Sequence, residues 1–219
     1  MRLGLWIESL SLIAAISVAS IRDLYPTPES LAAAAAVIQT NTAIIAMSGP
    51  PRGLETLGGR LAFEMWQTCV AIALMAVLSV VRHTRGEEES ERAELVRATV
   101  VGRHAHAAAA VIVATSASVI VGCLMATALV AQGLGLAGSL TLGAGYALIG
   151  LSFTGVAVIT SQVAVHARTA TGLAVGAIGA TYVLRAFGDT GQGWMSWTSP
   201  FGWAQASRPF TGDRWWALA

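Results

Sequence analysis

The sequence predicts an all-α polytopic membrane protein: five transmembrane helices, a short charged helix on the cytoplasmic side, and an outer interfacial or re-entrant segment. Three observations predict it. Only 25 of 219 residues are charged, 11%, against about 25% in a typical soluble domain. Hydrophobic residues make up 55% of the chain. The apolar residues are also gathered into runs, and a hydrocarbon core about 30 Å thick requires about 20 of them per helix. Five runs qualify, so residues 1–219 read as a single transmembrane domain with spans near 3–21, 61–81, 107–131, 140–165 and 170–186. Such a composition excludes a disordered chain. A net charge of +1 excludes a nucleic-acid partner, which would demand a basic surplus.

Taken in order, the first span carries one acid, Glu8, and the second has Glu64 in its opening turn, four residues from Arg60. The third and fourth spans contain no charge, and Arg185 ends the fifth. A sixth apolar run, Leu31 to Met47, is 17 residues long with Gln39-Thr40-Asn41-Thr42 at its centre, and is placed outside the bilayer as one short helix. Pro26, Pro28, Gly49-Pro50-Pro51 and Gly58-Gly59 punctuate the loop around it. After Ala186 the chain is expected to turn through Gly188 to Gly193. Five of the seven tryptophans follow (194, 197, 203, 215 and 216), so segment 187–219 reads as an outer stretch at the depth of the lipid headgroups, where an apolar ring with a polar N–H is favoured.

Topology follows from the arginines, which supply every basic charge. The loop 82–106 holds five of them (82, 85, 92, 97 and 103) and is cytoplasmic by the positive-inside rule. Five spans then place the N-terminus in the cytoplasm of a multi-pass cell-membrane protein. Arg82 to Arg97 contains four arginines and five glutamates. Glu88 and Arg92 form an i,i+4 pair in the favourable orientation, and Glu87 to Glu89 set negative charge in a first helical turn after Gly86. Leu95, Val96 and Val100 give the segment an apolar edge. It reads either as a solvated connector or as a docking helix that receives force from a soluble partner.

Chemistry-bearing patterns are otherwise sparse. Cys69 and Cys123 sit in apolar runs, where cysteine acts as a small hydrophobe. His83, His104, His106 and His166 fall near the inner surface, and His104-x-His106 is a weak metal signature. No Ser/His/Asp pattern and no G-x-x-x-x-G-K-[ST] loop is present. Gly172, Gly176 and Ala180 recur every four residues in the fifth span, a spacing that lets two backbones approach, within the chain or across a dimer seam.

Three stretches carry a family resemblance. Arg82-x-x-Arg85-Gly-Glu-Glu-Glu-x-x-Arg92-x-Glu94-Leu95-x-Arg97 with Val101-Gly102-Arg103 resembles the coupling-helix region of prokaryotic ABC exporter permeases, especially actinobacterial exporters of polyketide antibiotics. Gly49-Pro50, Leu57-Gly58-Gly59 and Trp66 resemble that family's approach to its second span. Tyr182-x-x-Arg185-Ala-x-Gly188-Asp189, followed by Ser196-Trp197 through Trp215-Trp216, resembles the outer segment before its sixth span. Such permeases begin with an amphipathic elbow helix and continue into a sixth span, so the chain resembles a first, N-terminal half with both ends missing.

The resemblance implies a type-2 ABC exporter fold that moves amphipathic small molecules outward and is not itself an enzyme. ATP and Mg would be bound by separate nucleotide-binding subunits, and no cofactor by this chain. A second permease half or a homodimer copy would complete the path. Arg85, Glu87, Glu88, Glu89, Arg92, Glu94 and Arg97 would couple to the ATPase partner. Phe63, Trp66, Gln67 and Val70 of the second span, with Leu173, Ala177 and Thr181 of the fifth, would line the substrate cavity. Competing readings are a non-transporting scaffold or orphan half-permease, and a proton-coupled secondary transporter.

Overall fold

The structure, a computed structural model, describes residues 3–89, 105–191 and 193–218. Within them the chain is helical, and five helices are long and apolar enough to cross a membrane. At 1.5 Å per residue, their 22 to 33 residues span roughly 33 to 50 Å.

The first long helix, α1 (Leu3–Leu24), buries a stripe of Leu10, Ala14, Val18 and Ile21. Leu5, Leu12, Ile13 and Ile16 face outward, as expected of a helix bounded by lipid. Glu8 lies on that outward side. The 31–47 run folds as two helices, α2 (Pro28–Gln39) and α3 (Thr42–Ser48), bent by 98° at the break. This corrects the expectation of one short helix, and the polar centre of the run explains it. Asn41 turns its side-chain oxygen onto the amides of Ala43 (3.1 Å) and Ile44 (3.2 Å), an N-cap that starts a new helix. Thr27 caps α2 with a reciprocal Ser30 contact, and Pro28 occupies its first turn.

The second span is a 33-residue rod, Leu57–Glu89. It comprises α4 (Leu57–Glu64), a 3-10 turn at Met65–Gln67, α5 (Thr68–Val81), a π turn at Arg82–Gly86 and a last turn at Glu87–Glu89. The glutamates thus continue the helix rather than opening a new one after Gly86. Nine of the fourteen residues of α5 are buried, so it forms the centre of the bundle. Around it pack α6 (Ala105–Ala131), α7 (Leu136–Val163) and α8 (Ala167–Thr190). The helix α8 continues through Gly188 and Asp189, where a turn was expected. It is followed by a 3-10 turn (Gly193–Thr198), the short α9 (Pro200–Ala206) and a final 3-10 turn (Trp215–Leu218).

Packing of α6 on α7 rests on a reciprocal glycine contact. A Cβ on Gly122 would lie 2.4 Å from the Gly143 carbonyl oxygen, and one on Gly143 would lie 2.3 Å from that of Gly122. Gly172, Gly176 and Gly179 of α8 have open space at the same position. Of the two uses open to the small-residue stripe, packing within the described chain is therefore not the one adopted. Overpacking a closed helix contact costs about 1–3 kcal/mol. Gly143→Val is accordingly expected to lower the thermal unfolding midpoint of the detergent-solubilised protein by more than Gly172→Val does.

Candidate functional site

One end of the bundle carries the α2–α3 pair and the Trp-rich segment, and its organising group is Arg185, fully buried near the end of α8. Its Nη2 donates to the carbonyls of Ala46 (2.9 Å) and Met47 (3.0 Å), at the C-terminal turn of α3. Those carbonyls have no intrahelical partner, and a guanidinium offers several donors in a fixed fork. Nη1 pairs with Asp189 Oδ2 at 3.1 Å, one helical turn on. The cation also lies 4.4 Å from the Tyr182 ring centroid and 5.9 Å from that of Trp66, and the Tyr182 hydroxyl donates to the Met47 carbonyl.

Gln205 of α9 completes the cluster. With its amide oriented to satisfy its neighbours, Nε2 donates to Asp189 Oδ2 (2.9 Å), while Oε1 accepts from Trp66 Nε1 (3.2 Å) and Arg185 Nη1 (3.2 Å). Ser196 Oγ donates to Asp189 Oδ1 at 2.8 Å. Such close approach needs missing side chains. Gly49 sits at φ +93 against Gln205, and a Cβ on Gly188 or Gly202 would strike Ser196 at 2.3 or 1.8 Å. Phe201 packs edge-on against Trp66 and Tyr182 and tilts against Phe153.

The nearby break in the second span is also satisfied from across the bundle. Tyr146 of α7 donates to the Met65 carbonyl at 2.5 Å and lies 2.6 Å from the Thr68 hydroxyl. Between these groups lies a cavity of about 60 Å³ lined by Phe63, Trp66, Cys69, Tyr146 and Gln205 among others. Phe63 and Trp66, two of the residues assigned to a substrate cavity, therefore come together. The other five do not line this cavity. Gln67 is exposed and Val70 half-buried, Leu173 is on the open side of α8, and Thr181 returns its hydroxyl to the Ala177 carbonyl at 2.8 Å. Arg60 and Glu64 do pair, at 2.6 Å, and Arg60 also donates to the Tyr25 hydroxyl at 2.8 Å.

At the opposite end the expected coupling residues bind the bundle itself. Arg85 Nε donates to the Ser161 carbonyl in the last turn of α7 (2.5 Å), and its Nη1 pairs with Glu88 at 2.7 Å. Glu89 Oε1 accepts from the Ala167 amide at the start of α8 (2.8 Å) and lies 3.5 Å from His166 Nδ1. Glu87 pairs with His83 Nδ1 at 2.9 Å. The partner expected for Glu88, Arg92, lies outside the described residues, as do Glu94, Arg97, His104 and the side chain of His106. Sequence reading had assigned no role to Arg185, Gln205 and Tyr146. An Arg–Asp pair at i,i+4, with tyrosine one turn earlier at the end of an apolar run, was the available signal.

Five helices long and apolar enough to cross a membrane define a multi-pass membrane protein, and comparison with known proteins specifies which class. The family model described as the C-terminal domain of the multidrug efflux system permease Rv1217c matches residues 10–217. The multidrug efflux system permease protein Rv1217c of Mycobacterium tuberculosis (strain ATCC 25618 / H37Rv) is 40% identical over 219 residues, covering 99% of this chain and 39% of that protein. The chain belongs to this family of multidrug efflux permeases. It spans about two fifths of the relative's length, and the matching domain is described as C-terminal, whereas the motif resemblance suggested a first half.

Removing one partner of a buried ion pair costs roughly 3–5 kcal/mol, so Arg185→Gln is expected to be severely destabilising in thermal unfolding. Arg185→Lys is expected to fail to rescue it, because an ammonium cannot reach two carbonyls and a carboxylate in one plane. Glu89→Ala removes only a helix cap, and the same assay is expected to report a loss of about 1 kcal/mol.

Proposed function

We propose that this chain is part of the membrane path of an ATP-driven ABC exporter that moves amphipathic drugs, including polyketide antibiotics, outward across the cell membrane. The observation that carries the reading is the linkage at the Arg85 end. Arg85 and Glu89 tie the end of the second span to the last turn of α7 and the first of α8. A push applied to the charged segment 87–97 would therefore be delivered to two further spans at once. That is what a docking helix requires of its anchorage, and a solvated connector has no need of it.

On this reading the loop 82–106 and the N-terminus face the cytoplasm. Arg85, Glu87, Glu88, Glu89, Arg92, Glu94 and Arg97 meet a nucleotide-binding subunit that hydrolyses ATP with Mg. The open glycine face of α8 meets a second permease half or a second copy, bringing Leu173, Ala177 and Thr181 to a path shared with Phe63, Trp66, Gln67 and Val70. Apolar walls suit a bulky lipophilic substrate, since burial contributes about 25 cal/mol per Å² and few polar groups impose selectivity.

Glu94→Arg and Glu88→Arg, made in the intact permease copurified with its nucleotide-binding subunit, test the docking role. Substrate-stimulated ATPase activity is expected to fall roughly tenfold or more, in line with a lost charged contact of 1.4 kcal/mol or above, while the unfolding midpoint stays put. Unchanged stimulation in both variants would sink the reading. Export that stops on collapse of the proton gradient at constant ATP would instead indicate a secondary transporter.

A further inference from the structure

Beside the Arg185 cluster lies a second, larger cavity of about 380 Å³, between the loop after α3, the end of α8 and the turn after α9. Its lining is polar and cationic where the smaller cavity, which Arg52 and Arg208 also border, is mostly apolar. Arg52, Arg208 and Arg214 border it, with Asp189 as its acid and Pro50, Trp197 and Trp216 as its apolar wall. Asp189 is already bound by Arg185, Ser196 and Gln205. The three bordering guanidiniums against this one carboxylate leave +2; the adjacent Arg185 raises that to +3, and Asp213 of the neighbouring turn returns it to +2. Arg52 makes one long contact, to the Gln205 carbonyl at 3.5 Å. Among the described residues the Arg208 and Arg214 guanidiniums have no hydrogen-bond or ion-pair partner.

The arginines are held together despite their repulsion. Burial pushes the Arg52 guanidinium below its ordinary pKa, and the charge of Arg208, then of Arg214, pushes the same way, opposed only by Asp189. The backbone that presents them is itself strained, with Arg208 at φ 50, Phe210 at φ 61 and Asp213 at φ 44. Non-glycine residues in that region cost of order 1 kcal/mol each and persist where surrounding structure imposes them. Here the imposing contacts are visible. The Phe210 ring fills the space left by Gly58 and Gly138, Asp213 accepts from the Phe210 amide at 3.0 Å, and the Arg214 amide donates to the Ser207 carbonyl at 2.6 Å.

We propose that this cavity binds a phosphate-bearing anion, with Arg52, Arg208 and Arg214 on the phosphate oxygens and the Trp197–Trp216 pair covering the attached organic group. Planar guanidinium forks match phosphate oxygens two at a time. A net charge of +2 to +3 calls for an anion, and 380 Å³ leaves room beyond the phosphate itself. Trp197 and Trp216 stack at 5.6 Å with their planes 17° apart, and both are largely exposed, as rings at headgroup depth are. The anion is either an anionic phospholipid head or a free phosphate, and the assignment holds whether or not the chain exports drugs.

Calorimetric titration of the intact protein in mild detergent decides it, using dihexanoyl phosphatidylglycerol, dihexanoyl phosphatidylcholine and inorganic phosphate as probes. Phosphatidylglycerol is expected to bind roughly tenfold or more tightly than phosphatidylcholine, with an affinity that falls as salt is added. R208Q/R214Q is expected to lose that preference, and R208K/R214K, which keeps the charge but not the fork, to retain only part of it. Arg214→Gln alone, at an exposed side chain, is expected to weaken binding without moving the unfolding midpoint. Phosphatidylglycerol binding without phosphate binding identifies a lipid head, and comparable binding of both identifies a free anion. Equal affinity for the two lipids, no binding by any probe, or a R208Q/R214Q titration matching the unsubstituted protein would overturn the proposal.

Discussion

The Trp-rich end of this molecule depends on one guanidinium. A guanidinium buried in an apolar bundle has given up its water, and polar groups left bare there cost a few kcal/mol each. Arg185, fully buried, recovers partners by serving two carbonyls at the end of the partly exposed α3 and a carboxylate from a single group. The consequences spread from there. The α2–α3 pair can bend back against α8 because its last turn finds a donor, and α9 can tuck beneath it because Gln205 and Ser196 satisfy the remaining oxygens of Asp189. Glycines at 49, 188 and 202 follow from the same geometry, since no side chain fits between these polar groups at hydrogen-bonding distance.

The opposite end solves the same problem with the charges reversed in role. There Arg85 serves a terminal carbonyl of α7 and Glu89 a leading amide of α8, so one cation and one anion cap the two ends of a short interhelical turn. Few charges are present in the chain, and those with described partners are spent largely on helix ends. This has a bearing on function. A residue that caps a neighbouring helix is mechanically continuous with it, so a force felt at 85–89 reaches α7 and α8 through hydrogen bonds of 2.5 and 2.8 Å rather than through a flexible loop.

What was legible in the sequence follows from the range of each signal. The five long helices were legible because apolar run length is a local property, and their observed bounds differ from expectation mainly where capping decides. The helix of the second span starts at Leu57 because Thr56 caps it, and the fifth continues to Thr190 through the Arg185–Asp189 turn. The bend between α2 and α3 was half legible. The polar centre of 39–42 was seen, but whether Asn41 would cap a new helix or sit in one depended on where Arg185 waits. The roles of Gln205, Tyr146 and Arg185 were not legible, because partners that they hold lie 81 to 139 residues away in the chain. No periodicity reports contacts at that distance.

Small residues make the limit concrete. Gly122 and Gly143 close a helix pair to backbone contact, while Gly172, Gly176 and Gly179 face empty space, and the two sets look alike in sequence. What separates them is the neighbour. A glycine face costs helix propensity, about 1 kcal/mol per residue relative to alanine, and recovers it only where another backbone comes close. The α6–α7 pair finds that backbone in the described chain and α8 does not, while Leu173, Val183 and Phe187 on the same helix are likewise exposed. Lipid would fill such a face as readily as protein, but lipid gives no return for glycine over alanine. The same residue type is thus a packing device between α6 and α7, and on α8 a cost that no neighbour among the described residues recovers.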